Sequence, residues 1–232
     1  MTRRVVVGLT VALGVVGCSL PVPPPPSRLE SHYRMQRPHG PGPFAAVLLI
    51  PGCEGVVPAR LETAAQLVRR GYIVVFVEYV AARGLATACG GEVGPGDVGR
   101  DIRAVSAHLR RLADVRSGAI GAIGWALGGS GLLASLVGTE FDRVPPVDAA
   151  VAFYPFCRGL YPWKTYVPTL VLLAGQDDIA PPAYCEDVAV RSVGRVQVHV
   201  FPDAGHAFDM LHAEAAREAW SEALRHLEVR LP

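Results

Sequence analysis

The sequence predicts a single α/β domain built on a mostly parallel sheet with helices on both faces. Two patterns carry this prediction. Six short, largely apolar runs alternate with longer stretches of helical periodicity, and half of the 232 residues are hydrophobic while only 19% are charged. Such runs suit strands buried on both sides, and strands joined through helices suit parallel pairing. The length allows one domain with a sizeable core, and the composition excludes a disordered or collagen-like chain. A formal net charge of +1, with basic residues scattered, leaves no footprint for nucleic-acid binding.

In chain order, the predicted strands are residues 45–50, 73–80, 120–125, 149–154, 169–174 and 196–201. The intervening helices are 58–70, 97–112, 128–137 and 181–193, and a last helix, 213–227, follows the sixth strand. The second helix is the plainest, because Val98, Ile102, Val105, Leu109 and Leu112 recur at three- and four-residue steps on one face. No internal repeat or second linker divides these elements, so the domain is expected over residues 37–232. In such sheets the functional loops lie at the carboxyl ends of the strands.

The segment before this domain reads as an export signal. Arg3 and Arg4 precede 13 largely apolar residues, 5–17, a stretch too short to span a bilayer but suited to a secretory leader. Val15-Val16-Gly17-Cys18 resembles a bacterial lipobox, which makes residues 1–17 a lipoprotein-type signal peptide and Cys18 the lipid-modified residue. An ordinary signal peptide cut near Ser19, or an uncleaved anchor, is the alternative. Residues 18–36, with the run Pro21 to Pro26, would then be a stiff spacer between a membrane anchor and the domain. The expected location is the bacterial cell envelope, membrane-anchored or periplasmic.

The third strand leads into Gly124-Trp125-Ala126-Leu127-Gly128-Gly129. A strand, a tight turn flanked by glycines and a small-residue helix make the nucleophile elbow of α/β-hydrolases. Two later loops complete the order nucleophile, acid, histidine. Gly175-Gln176-Asp177-Asp178 follows the fifth strand, and Gly205-His206-Ala207-Phe208 follows the sixth. An Asp pair before proline is commonly a helix cap, and a lone loop histidine is commonly just solvated. All three features at the right strand ends, in the right order, point to one site.

With these motifs, residues 37–232 resemble the dienelactone hydrolase family of α/β-hydrolases. Leu49-Ile50-Pro51-Gly52-Cys53-Glu54-Gly55 is similar to that family's oxyanion loop. Arg83-Gly84-Leu85 with Cys89, and Phe153-Tyr154-Pro155-Phe156-Cys157, add agreement with one exported-looking branch. The resemblance implies that His206 is the general base and Asp178 its orienting carboxylate, with Asp177 as second choice. It also implies that the backbone N–H groups of Leu127 and of Cys53 or Glu54 face the oxyanion.

The departure lies at the nucleophile position, where the family's Ser or Cys is replaced by Ala126. A methyl group cannot attack a carbonyl, so acyl-enzyme chemistry is unavailable. In subtilisin, loss of the serine alone costs about 10⁶ in turnover. Ser130, about one helical turn away, reads as a packing residue, and Cys53, nearer the reaction centre in the oxyanion loop, is expected to point its side chain away from the site its backbone serves. Direct attack by water, with His206 as base, is a third route and suits an activated ester or lactone.

The cysteines have another use. Once Cys18 is assigned to the lipid, four remain, an even number in an oxidising compartment. Cys53 and Cys89 follow one pair of successive strands, and Cys157 and Cys185 follow a later pair. Bridges Cys53 to Cys89 and Cys157 to Cys185 are expected, among three possible pairings, with four free thiols as the alternative.

Three functions remain open: a hydrolase of small esters or lactones that is weak or uses a non-standard nucleophile; an inactive relative that binds a ligand or partner at the cell envelope; and a nucleophile-knockout variant of an active hydrolase. Tyr79, Arg83, Trp125 and Tyr154 sit at or next to strand ends and are candidate pocket residues. Arg83 could meet a substrate carboxylate or pair with a nearby acid. No metal-ligand spacing, phosphate loop or dinucleotide fingerprint is expected, and no cofactor is implied.

Overall fold

The computed structural model describes residues 30–137, 144–160, 165–191 and 195–231. The predicted leader, Cys18 and the proline run lie outside the described residues, as does the end of the helix expected over 181–193. The strands are β1 (Tyr33–Gln36), β2 (Phe44–Ile50), β3 (Ile73–Val77), β4 (Val115–Trp125), β5 (Ala149–Phe153), β6 (Thr169–Ala174) and β7 (Val196–Phe201). The helices are α1 (Pro58–Arg69), α2 (Pro95–Leu109), α3 (Leu127–Ser135), α4 (Ala183–Arg191), α5 (Phe208–Leu211) and α6 (Ala213–Glu228).

One seven-stranded sheet runs in the order β1-β3-β2-β4-β5-β6-β7. Every neighbouring pair is parallel except β1 with β3. From β2 the chain steps outward to β3, then returns past β2 to β4 and continues to the other edge. The loops leaving β2 and β4 therefore diverge, and the crevice between them opens at the carboxyl ends of both strands.

The apolar runs of the inner strands are explained by burial on both faces. The expected double burial does not extend to β7, an edge strand on which Gln197 is exposed and only Phe201 is buried. Ala46, Leu48 and Ile50 of β2 join Ile102 and Val105 of α2 and Leu132 and Leu133 of α3 in one core layer. Ala45, Val47 and Leu49 join Ala64 and Leu67 of α1 and Ala219, Ala223 and Leu227 of α6 in the other. Among the described residues, no helix is long and apolar enough to cross a membrane.

The sheet begins earlier than the expected boundary at residue 37. Tyr33–Gln36, inside the expected spacer, pairs antiparallel along β3, from Tyr33 with Val77 to Gln36 with Val74. Residue 34 is exposed while Tyr33 and Met35 pack on the core. Four residues of half-buried alternation are too short to stand out beside a proline-rich run. β4 also starts earlier than predicted, at Val115, and β3 ends at Val77.

Burial of His226 on α6 makes stability depend on pH. Its Nε2 lies 3.2 Å from the Pro168 carbonyl, and burial, reinforced by Arg230, holds the imidazole at a pKa of about 4. The unfolded chain takes up this proton near pH 6.5 and the native one only near 4, so the contribution is full above pH 6.5 and declines as pH falls toward 4. At most about 3 kcal/mol is at stake. Denaturant unfolding at pH 7 and pH 4.5 should show the loss, and His226→Gln should flatten that dependence.

Candidate active site

The turn from β4 into α3 has the geometry its glycines predict. Ala126 sits at φ 45°, ψ −116°, a conformation that strains any residue with a side chain, by about 1–3 kcal/mol. A Cβ at Gly124 would lie 2.7 Å from the Gly128 carbonyl oxygen. One at Gly128 would lie 2.2 Å from the carbonyl oxygens of Ile50 and Pro51. The first turn of α3 is thus pressed against the end of β2, where the candidate oxyanion loop begins. Leu127 is the first residue of α3, and the opening amides of a helix lack partners within it. The Ala126 N–H donates to the Phe153 carbonyl at 3.0 Å, tying the elbow to the end of β5.

Neither alternative nucleophile is available. The buried Ser130 hydroxyl donates to the Ala126 carbonyl at 2.9 Å and accepts from the Phe156 N–H at 2.7 Å, so it braces the elbow. Cys53 is bonded to Cys89, and Cys157 to Cys185, in the two bridges expected from the strand ends.

The first bridge also holds the loop after β2. Cys53's carbonyl accepts from the Ala88 N–H at 2.8 Å, and the Gly55 N–H closes a turn onto Gly52. Tyr79 is buried, and its hydroxyl is shared between the carbonyls of Gly52 (2.7 Å) and Pro51 (3.1 Å). Burial, then the charge of Glu54, push its pKa upward, so it remains a neutral donor. The Glu54 carboxylate folds back over Gly52.

The expected acid is corrected. Asp177, not Asp178, meets the histidine, with Oδ2 2.7 Å from His206 Nδ1. Its other oxygen accepts from the N–H groups of Ile179 (3.0 Å) and Ala180 (2.7 Å), so one carboxylate caps its own turn and orients the ring. Asp178, next along the chain, faces outward and is exposed. The Gln176 N–H donates to Ala204 at 2.9 Å, which joins the loop after β6 to that after β7. With Nδ1 donating to Asp177, a neutral His206 carries its basic lone pair on Nε2.

Of the candidate pocket residues, Tyr154 packs against His206. Its ring meets the His206 ring edge-on, with centroids 4.7 Å apart. Arg83 is committed to Asp101 (2.6 Å) and to the Tyr79 carbonyl (2.8 Å), so it is not a free fork for a substrate carboxylate. Tyr79 supports the loop from below. Trp125 lies under the Arg60 guanidinium, 4.2 Å from its ring centroid, and borders a cavity of about 220 Å³ between α1 and α6.

A buried arginine and its partly buried acidic partner escaped sequence reasoning. Arg60 Nη1 donates to Asp209 Oδ2 at 2.5 Å and Nη2 to the Tyr154 hydroxyl at 3.1 Å, and that hydroxyl donates to Asp209 Oδ1 at 2.5 Å. Burial, then the charge of Asp209, push Tyr154 well above its ordinary pKa and keep it protonated. A signal existed: Arg60, Ala64 and Leu67 share the buried stripe of α1, where a charge is out of place. The scattered histidines hid one further cluster, His199 of β7 with Glu218 and Glu222 of α6, whose ligand atoms lie within 4.8 Å of one another.

Residues 33–230 match the dienelactone hydrolase family profile. Similar solved structures include a candidate dienelactone hydrolase from Klebsiella pneumoniae, with 20% identity and a TM-score of 0.69 over 84% of this chain and 92% of that one. The native esterase Est2 of Thermogutta terrifontis is 17% identical, with a TM-score of 0.64 over 84% and 86%. The hydrolase MGS-M1 from a Medee basin deep-sea metagenome is 18% identical, with a TM-score of 0.61 over 81% and 85%. No curated protein matches the sequence. The match spans nearly the whole described domain, elbow and histidine loop included, and the chain belongs to the dienelactone hydrolase family.

Proposed function

We propose that this chain hydrolyses small activated esters or lactones slowly, by direct attack of water, because its elbow carries no nucleophile. The observation that carries the reading is the Asp177–His206 pair, whose carboxylate is buried and whose imidazole is partly open. In the proposed step His206 Nε2 takes a proton from water while the water oxygen bonds to the carbonyl carbon. The Leu127 and Cys53 or Glu54 amides receive the developing oxyanion. Collapse breaks the carbon–oxygen bond to the leaving group, and the imidazolium returns the proton to the departing alkoxide.

Ala126 favours a second reading, in which the site only binds a small ester, lactone or partner. A nucleophile-knockout origin would leave the same residues. Export as a lipoprotein anchored through Cys18 completes the proposal, supported by the lipobox-like sequence and by two disulfides suited to an oxidising compartment. Labelling with a radioactive fatty acid should mark the full-length chain and not its Cys18→Ser variant.

Restoring the nucleophile tests the site. Ala126→Ser should raise hydrolysis of an activated ester or dienelactone by several orders of magnitude, within a ceiling of about 10⁶, and His206→Ala should remove the gain. In the restored background Asp177→Asn should lower kcat by about 10²–10⁴, while Asp178→Asn should change it less than about twofold. Inertness of Ala126→Ser toward a broad panel, with binding of a small ligand retained, would select the binding reading. Equal losses at Asp177 and Asp178 would overturn the acid assignment.

A further inference from the structure

We infer that Arg60, acting through Asp209 and Tyr154, positions His206 against the elbow. The inference uses the proposed function only in taking His206 as the base. Four segments that the sequence keeps far apart converge on this one guanidinium. Arg60 belongs to α1, Trp125 directly precedes the elbow residue, Tyr154 directly follows β5, and Asp209 lies three residues after His206. Arg60 is 2% exposed, and it contacts the Trp125 face, the Tyr154 hydroxyl and the Asp209 carboxylate together.

Tyr154 transmits the constraint. Its backbone is held at φ 37°, its N–H donates to Leu172 at 2.7 Å, and its hydroxyl is fixed by both members of the ion pair. The ring is therefore held in one orientation against His206, with the two planes inclined at 61°. Asp177 fixes the imidazole at one nitrogen but leaves it free to swing about that hydrogen bond, and the Tyr154 ring blocks the swing from the side. Asp209 meanwhile fixes the chain just beyond His206, where Phe208 packs 5.6 Å from Tyr154.

Stability alone does not explain such a group. A buried ion pair is often no better for stability than well-packed apolar residues of similar volume. Arg60 Nε and Trp125 Nε1 are also buried with no protein partner among the described residues. What the guanidinium adds is direction: three planar contacts in one arrangement, which a lysine ammonium cannot reproduce.

The test uses the full chain. In the unmodified protein, proton NMR should show a low-field His206 Nδ1–H resonance bound to Asp177. Arg60→Met should broaden or abolish it, and Tyr154→Phe, which keeps the ring, should weaken it and serves if Arg60→Met does not fold. The double variant Arg60→Met with Asp209→Leu should regain the parent's thermal stability without regaining the resonance. In the Ala126→Ser background the same double variant should lose about tenfold or more in kcat with KM little changed, because small misplacements of a base are costly. Recovery of both resonance and stability in the double variant overturns the inference, as does a parent that lacks the resonance. An inert Ala126→Ser chain would overturn the hydrolase reading instead, and the resonance would still decide the positioning.

Discussion

The close crossing of α3 over the end of β2 is the constraint on which the rest of the site depends. Gly128 leaves no room for a side chain between the helix backbone and the carbonyls of Ile50 and Pro51, and Gly124 leaves none between strand and helix. That contact goes with the positive-φ backbone of Ala126 and brings the first turn of α3 up to the start of the loop after β2. The Ala126 to Phe153 hydrogen bond and the Ser130 hydroxyl then carry the arrangement into the loop after β5. One backbone approach therefore positions the candidate oxyanion amides, the elbow and Tyr154 together.

The disulfides stiffen the same edge independently of the core. Each closes a segment at the carboxyl ends of neighbouring strands, with separations of 36 and 28 residues. In the chain-entropy account each contributes about 3–4 kcal/mol by restricting the unfolded chain. Loops are ordinarily the mobile part of an α/β sheet. Here the loop after β2 is bridged to the segment after β3, and the loop after β5 to α4, so the rim is cross-linked around a site whose inner contacts are polar.

Much of this was legible in the sequence because it follows from burial and sterics. Largely apolar inner strands announced a doubly covered parallel sheet, the elbow glycines announced the crossing, and cysteines after adjacent strands announced their bridges. What failed depended on local turns and three-dimensional convergence. Asp177 and Asp178 are adjacent acids on one loop, and only the turn that Asp177 caps decides which points inward. The edge strand at Tyr33–Gln36 is too short and too amphipathic to stand apart from a spacer. Arg60 and Asp209 are 149 residues apart, and no spacing rule links them.

These constraints also rank the retained residues as evidence of chemistry. The strained elbow says little, because the glycine crossing imposes it whatever side chain Ala126 carries. Asp177 says little more, since its carboxylate caps two amides and would be kept by the fold alone. Ser130 and Tyr79 likewise hold backbone in place. His206 is different: its polar partner among the described contacts is Asp177, it lies partly open at the rim, and a glutamine or leucine could fill its volume against Tyr154. A histidine held by a buried carboxylate, beside a ring whose hydroxyl is bound by Arg60 and Asp209, is more than packing requires, and it is the residue on which the proposed proton transfer rests.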